Sequence, residues 1–69
     1  MGPNGHIGEA LKVNPSAQAI QIRDAQTGSP LTFQATAEQL SGIRPGDQVL
    51  IRFKKEEGVL IAQQITTLR

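Results

Sequence analysis

Ile43-Arg44-Pro45-Gly46-Asp47-Gln48-Val49-Leu50-Ile51-Arg52-Phe53 joins the clearest turn of this chain to its clearest strand, and the rest is read outward from it. Pro45 presets φ for the second position of a β-turn, and Gly46 accepts the positive φ that a type II turn demands at the third. A strand therefore begins by Gln48. Beyond it Val49, Ile51 and Phe53 alternate with Gln48, Leu50, Arg52 and Lys54, the period-two pattern of a strand with one buried face. The Asp47 carboxylate is placed to cap NH groups of the turn.

Residues 8–14 carry Ala10, Leu11 and Val13 around Glu9 and Lys12, an imperfect alternation that reads as a first strand bent near Gly8. Asn14-Pro15 ends it, because Pro15 cannot donate to a ladder. Residues 19–23 alternate cleanly, with Ile20 and Ile22 inward and Gln21 and Arg23 outward. Asp24, Gly28, Ser29 and Pro30 then supply turn chemistry, so this second strand folds back into a third, residues 31–35, with Leu31, Phe33 and Ala35 inward. Thr36-Ala37-Glu38-Gln39 matches a capping box. The helix it opens is held to one or two turns by Gly42 and Pro45, with Leu40 and Ile43 packed inward. Lys55-Glu56-Glu57-Gly58 is a hairpin loop into a fifth strand, residues 59–65, whose pattern slips and predicts a bulge near Gln63-Gln64.

Five short strands with one helical turn between the third and fourth fit an all-β fold, a small OB-like Greek-key barrel. The alternative, an SH3-like barrel, places its helical turn between the fourth and fifth strands. The expected core is Val13, Ile20, Ile22, Leu31, Phe33, Leu40, Val49, Ile51, Phe53, Ala62 and Ile65, with Phe53 central.

The chain has 69 residues, enough for one small barrel over residues 8–69 after a flexible leader, residues 1–7. Cys is absent, which removes disulfides, thiolate metal sites and cysteine nucleophiles together and leaves the redox compartment open. A net charge of +1 is too balanced to draw a polyanion by itself. No apolar run approaches the length of a membrane span.

The one adjacent carboxylate pair, Glu56 and Glu57, falls on a hairpin tip and reads as solvated edge charge, and no nucleophile with a base appears, so the chain reads as a non-catalytic binding or accessory module with no cofactor. Asp24 opens a loop and reads as a turn cap, like Asp47. The candidate contact surface is the outer face of the second and fourth strands, carrying Arg23, Leu50, Arg52 and Lys54, with Leu50 turned away from the core. An exposed strand leucine suits a protein partner. The alternative is nucleic-acid binding. Single-strand binders of this fold add aromatic stacking platforms, whereas this chain has two Phe, both on the predicted core face, and neither Trp nor Tyr.

The run Leu31-Thr32-Phe33, a short helical turn, Ile43-x-x-Gly46-Asp47-x-Val49 and Ala62-x-x-Ile65 resembles the small bacterial periplasmic barrels of the copper-chaperone (CusF-like) type and related barrels of unknown function. The resemblance implies the barrel fold, and a periplasmic or secreted setting if a signal peptide has been removed. It also raises a further alternative, a periplasmic metal-binding barrel. Copper-binding members hold the metal with a His, a Met-x-Met pair just before the third strand's Phe, and a capping Trp. With Phe33 matched to that Phe, the methionines would fall at Ser29 and Leu31, so the sulfur donors that select Cu(I) are missing. His6, in the expected leader, reads as a solvated residue. The metal chemistry of the resemblance is therefore not expected to carry over.

Overall fold

The turn at Pro45-Gly46 forms as its residues dictate in a computed structural model that describes residues 5–68. Asp47 N–H donates to Arg44 O at 3.0 Å, Gly46 takes φ +97°, and Asp47 Oδ2 accepts from Arg44 N–H at 3.0 Å. The strands are β1 (Gly5–Asn14), β2 (Ala19–Asp24), β3 (Pro30–Gln34), β4 (Gln48–Glu56) and β5 (Val59–Leu68), with helix α1 (Ala37–Leu40) between β3 and β4. They close into a barrel in the order β1-β2-β3-β5-β4. Every neighbouring pair is antiparallel except β3 with β5. With the helical turn before β4, this is the OB-like arrangement and not the SH3-like one.

Closure is the work of β1. Its first half pairs with β4, from Gly5↔Arg52 to Glu9↔Gln48, and its second half with β2, from Gly8↔Asp24 to Asn14↔Ala19. Gly8 and Glu9 belong to both ladders, where the strand passes between partners. The backbones crowd there: a Cβ on Gly8 would meet Arg23 O at 2.3 Å, so only glycine fits. The ladder then shifts, because Ala10 faces Ile22 while Lys12 faces Gln21 and Leu11 is left over as a bulge. That extra residue explains the imperfect alternation.

The strand starts at Gly5, so Gly5, His6 and Ile7 are ladder residues and not a leader. Residues 1–4 lie outside the described residues. At the other end β5 continues through Thr66 and Thr67 to Leu68, since these pair with Leu50, Val49 and Gln48. The expected bulge is present, with Arg52 facing Gln64 and Phe53 facing Ala62 so that Gln63 has no counterpart. Between Glu56 and Val59 only Glu57 and Gly58 remain, at φ 50° and 79°, a two-residue turn with both φ positive.

Phe33, Ile20, Ile22, Leu40, Ile51 and Val49 are the large side chains almost wholly out of water, joined by Ala10, Ala35, Ile43 and Ala62. Val13, Leu31, Phe53 and Ile65, expected in the core, pack against it half-buried, as does Leu60. The centre is therefore Phe33 and not Phe53. Phe53 sits just past the β4–β5 register shift, and its ring packs edge-on against Phe33 from a half-buried position. The Thr36 capping box forms both its bonds, Gln39 N–H to Thr36 Oγ1 at 3.1 Å and Thr36 N–H to Gln39 Oε1 at 2.9 Å. Gln39 Nε2 also donates to Ala62 O at 3.3 Å and Gln63 O at 3.1 Å, which ties α1 to the β5 bulge.

Candidate functional site

Strand alternation fixes which residues reach the outer surface. Val49 and Ile51 point inward and are fully buried, so Leu50 between them points outward, half-buried, with its Cδ1 over Gly5. Opposite it on β1 stands Ile7, 47% exposed, and on β5 Thr66. An apolar pair thus sits on the β1–β4 ladder, flanked along β4 by Gln48 and Arg52. Ile7 escaped the sequence reading because it was assigned to the leader.

The four residues singled out from the sequence lie on two strands, β2 and β4, that are not neighbours, since β1 runs between them. Arg23 lies across from Glu9 on β1 and Pro30 on β3. Arg52 stands beside Leu50, across from Gly5 and Gln64. Lys54 lies past the bulge and pairs with Glu56 at 3.2 Å. Leu50, Arg52 and Lys54 follow one face of β4, whereas Arg23 stands on β2 across from Glu9, with β1 between.

A second cluster gathers around the Phe53 ring. The His6 ring stacks on Phe53, centroids 5.1 Å apart and planes 14° off parallel, and Phe53 meets Phe33 edge-on at 5.3 Å. His6 Nδ1 bonds Asp24 Oδ1 at 2.8 Å. An ionised carboxylate can only accept, so Nδ1 carries the hydrogen and donates to it. Asp24 is only 3% exposed, and its Oδ2 accepts from Thr27 N–H at 3.0 Å and Thr27 Oγ1–H at 3.1 Å. Burial pulls the Asp24 carboxyl upward, but the Thr27 bonds together with the His6 bond and charge outweigh it and hold it below its ordinary value. Asp24 caps its turn as expected, whereas His6 is a packed strand residue and not a solvated one. The signal was present in the sequence: His6, Gly8 and Ala10 form an inward row against Ile7 and Glu9, blurred by glycines.

Ser29 and Leu31 border this cluster, Ser29 O accepting from Asp24 N–H at 2.9 Å and Leu31 facing Ile22. Among the described residues no group of three or more His, Cys, Asp or Glu is arranged to hold a metal ion. A third feature is a cleft at the β3–β5 junction, where Gln34↔Ile61 is the one paired position.

No protein-family model and no curated protein matches this chain. Among solved structures, the crystal structure of Ag(I)CusF superposes with a TM-score of 0.80 at 19% identity, covering 99% of this chain and 100% of that one. The structure of apo-CusF residues 6–88 from Escherichia coli gives 0.79 at 19% identity, covering 99% and 89%. The fold is that of CusF. The CusF-like barrel expected from Leu31-Thr32-Phe33 and Ile43-x-x-Gly46-Asp47-x-Val49 is what this chain forms, though at this identity the likeness speaks for the fold alone. No helix among the described residues is long and apolar enough to cross a membrane.

Proposed function

We propose that this chain is a small non-catalytic binding module that docks a protein partner on the outer face of β1 and β4, with Ile7 and Leu50 as the apolar centre. The observation that carries this is the Ile7↔Leu50 pairing, an exposed isoleucine against a half-buried, outward-facing leucine beside Arg52 on a paired ladder. Nucleic acid is a poorer fit, because Glu9 and Glu56 sit beside the Arg23 and Lys54 that would meet phosphates, and Phe33 is buried with Phe53 packed against it. The test places a photo-crosslinking side chain at position 7, and a control one at position 26, in cells of the source organism. A discrete adduct from position 7 that Leu50→Asp suppresses, with the barrel still folded, supports the reading. Equal adducts from position 26, or indifference to Leu50→Asp, refute it. Amide shifts at Arg23, Arg52 and Lys54 on adding single-stranded oligonucleotide at low salt, fading as salt rises, would install the nucleic-acid reading instead.

A second reading, a periplasmic barrel carrying a soft metal ion, has one observation in its favour beyond the likeness to a silver-bound barrel. His6 is oriented by a carboxylate at Nδ1, the arrangement commonly found behind a metal-ligating imidazole. Sulfur donors at Ser29 and Leu31 are lacking, so His6 would act without them. Titration with Ag(I) and Cu(I) decides: saturable, stoichiometric shifts around His6, Ser29 and Phe33 that His6→Ala abolishes establish it, and their absence removes it.

A further inference from the structure

Strand β3 is paired along its whole length on one side and at a single position on the other. Toward β2 the register runs from Pro30↔Arg23 to Gln34↔Ala19, while toward β5 only Gln34↔Ile61 is made. Bonds from Asp24 N–H to Ser29 O and from Ala35 N–H to Gln18 O, both 2.9 Å, stand at the two ends of the β2–β3 ladder and fix its alternation. Hydrogen-bonded and non-hydrogen-bonded pairs alternate in an antiparallel ladder, so Leu31 and Phe33 bond β2, whereas Thr32 and Gln34 direct N–H and C=O away from it. Gln34 meets β5. Among the described residues nothing pairs with Thr32 on that side.

Gln34, two residues along from Thr32 on β3, lines a groove of about 460 Å³ with Glu56, Glu57, Val59 and Ile61, and a second cavity of about 170 Å³ lies across the Gln34–Ile61 bridge. Two features give the groove a chemistry. Val59 is 42% exposed, one of two exposed large hydrophobic residues among those described, the other being Ile7 on the β1–β4 ladder. Glu56 is paired with Lys54, which stands across from Ile61, but Glu57 has no cationic partner among the described residues, which leaves one uncompensated carboxylate at the groove.

We propose that the β3–β5 seam receives an extended peptide segment of a partner, which adds to the unpaired side of β3 at Thr32, seats an apolar side chain on Val59 and Ile61, and sets a basic side chain beside Glu57. Main-chain bonds to a sheet edge supply affinity, and pockets for alternate side chains supply selectivity. The Glu57 carboxylate selects a basic peptide over an acidic one. This site is separate from Ile7 and Leu50, which lie at the β1–β4 junction, so either can fail without the other.

The experiment titrates a blocked pentapeptide of alternating lysine and valine into the isotope-labelled full chain and reads amide shifts and hydrogen exchange. The expected result is saturable shifts at Thr32, Gln34 and Val59 with slowed exchange of the Thr32 amide. Glu57→Lys should weaken binding at least about tenfold, near 1.4 kcal/mol. Thr32→Pro should abolish it, since this substitution removes only the outward N–H, at an edge position that tolerates proline. The same peptide with alternate backbone nitrogens methylated makes that test without altering the protein, and it should not bind. Equal binding of the methylated peptide or of a glutamate–valine peptide overturns the proposal. So do shifts confined to Ile7 and Leu50, the absence of any shift, or a peptide-free dimer joined through Thr32.

Discussion

Gly8 approaches Arg23 so closely that a methyl group on Gly8 would stand 2.3 Å from the Arg23 carbonyl oxygen, backbone against backbone. Neither side can yield as a flexible side chain could. Gly8 is shared between the β2 and β4 ladders, so any retreat strains two sets of hydrogen bonds. Gly8→Ala is expected to destabilise the barrel by about 1–3 kcal/mol or more, the range of forced overpacking. Urea unfolding checks this, and an unchanged midpoint would show that β1 has room to move.

The two phenylalanines should separate in their effects. Phe33 is fully buried, and truncating such a ring costs about 3–5 kcal/mol, comparable to the whole stability of a chain this small at about 0.05–0.15 kcal/mol per residue. Phe33→Ala should therefore be largely unfolded. Phe53→Ala should stay folded with a loosened His6 ring, because Phe53 is half-buried and stacks on it. Dispersion of the amide spectra distinguishes the two, and the reverse order would make Phe53 the centre.

Acid should weaken the fold through Asp24. Its carboxyl is held below the ordinary value in the folded chain, so the unfolded chain takes up the proton first as pH falls. The stabilisation is complete above the unfolded value of about 3.9 and is lost as pH drops through the folded one. Denaturation midpoints between neutral pH and strong acid should fall more steeply for the native sequence than for Asp24→Asn. Identical slopes would mean that the His6 and Thr27 bonds do not favour the ionised form.

Gln39 offers a test of one side chain doing two jobs. Gln39→Glu keeps an acceptor for Thr36 N–H but replaces the donor to Ala62 O and Gln63 O with an oxygen. Capping survives and the tie to β5 does not. The expected loss is about 1–3 kcal/mol, from two hydrogen bonds replaced by repulsion. A Gln39→Glu variant as stable as the native chain would show that the amide's bonds to β5 contribute nothing.

What could be read in advance was what depends on near neighbours in sequence. Thr36 with Gln39, Pro45 with Gly46, and the phase slip at Gln63 each encode their geometry within a few residues, and each formed. What escaped depends on residues far apart. Gly5 and Gly8 carry no side chain with which to display alternation, so His6 looked solvated and Ile7 belonged to no strand until β4 was seen beside them. Phe33 and Phe53 have the same local pattern, and only their positions along the barrel rank them. Arg23 and Leu50 both point outward, yet β1 between them is visible only in the strand order. The unpaired side of Thr32 leaves no mark in sequence, because it arises from where β5 fails to follow β3.

The division of β1 between two partners has a consequence for the order of folding. Its second half meets β2 across a short turn, and β4 meets β5 across Glu57-Gly58, so both hairpins can assemble from local chain. The Gly5–Arg52 zipper spans most of the polypeptide and bears the largest loop-closure entropy. It is expected to form last. In a chain emerging amino end first, Ile7 must wait for Leu50 to be synthesised, and the surface the two make together comes into being only with the finished barrel. A partner docking there would bind the completed fold and ignore its precursors, which makes the contact a check on maturation as well as an attachment.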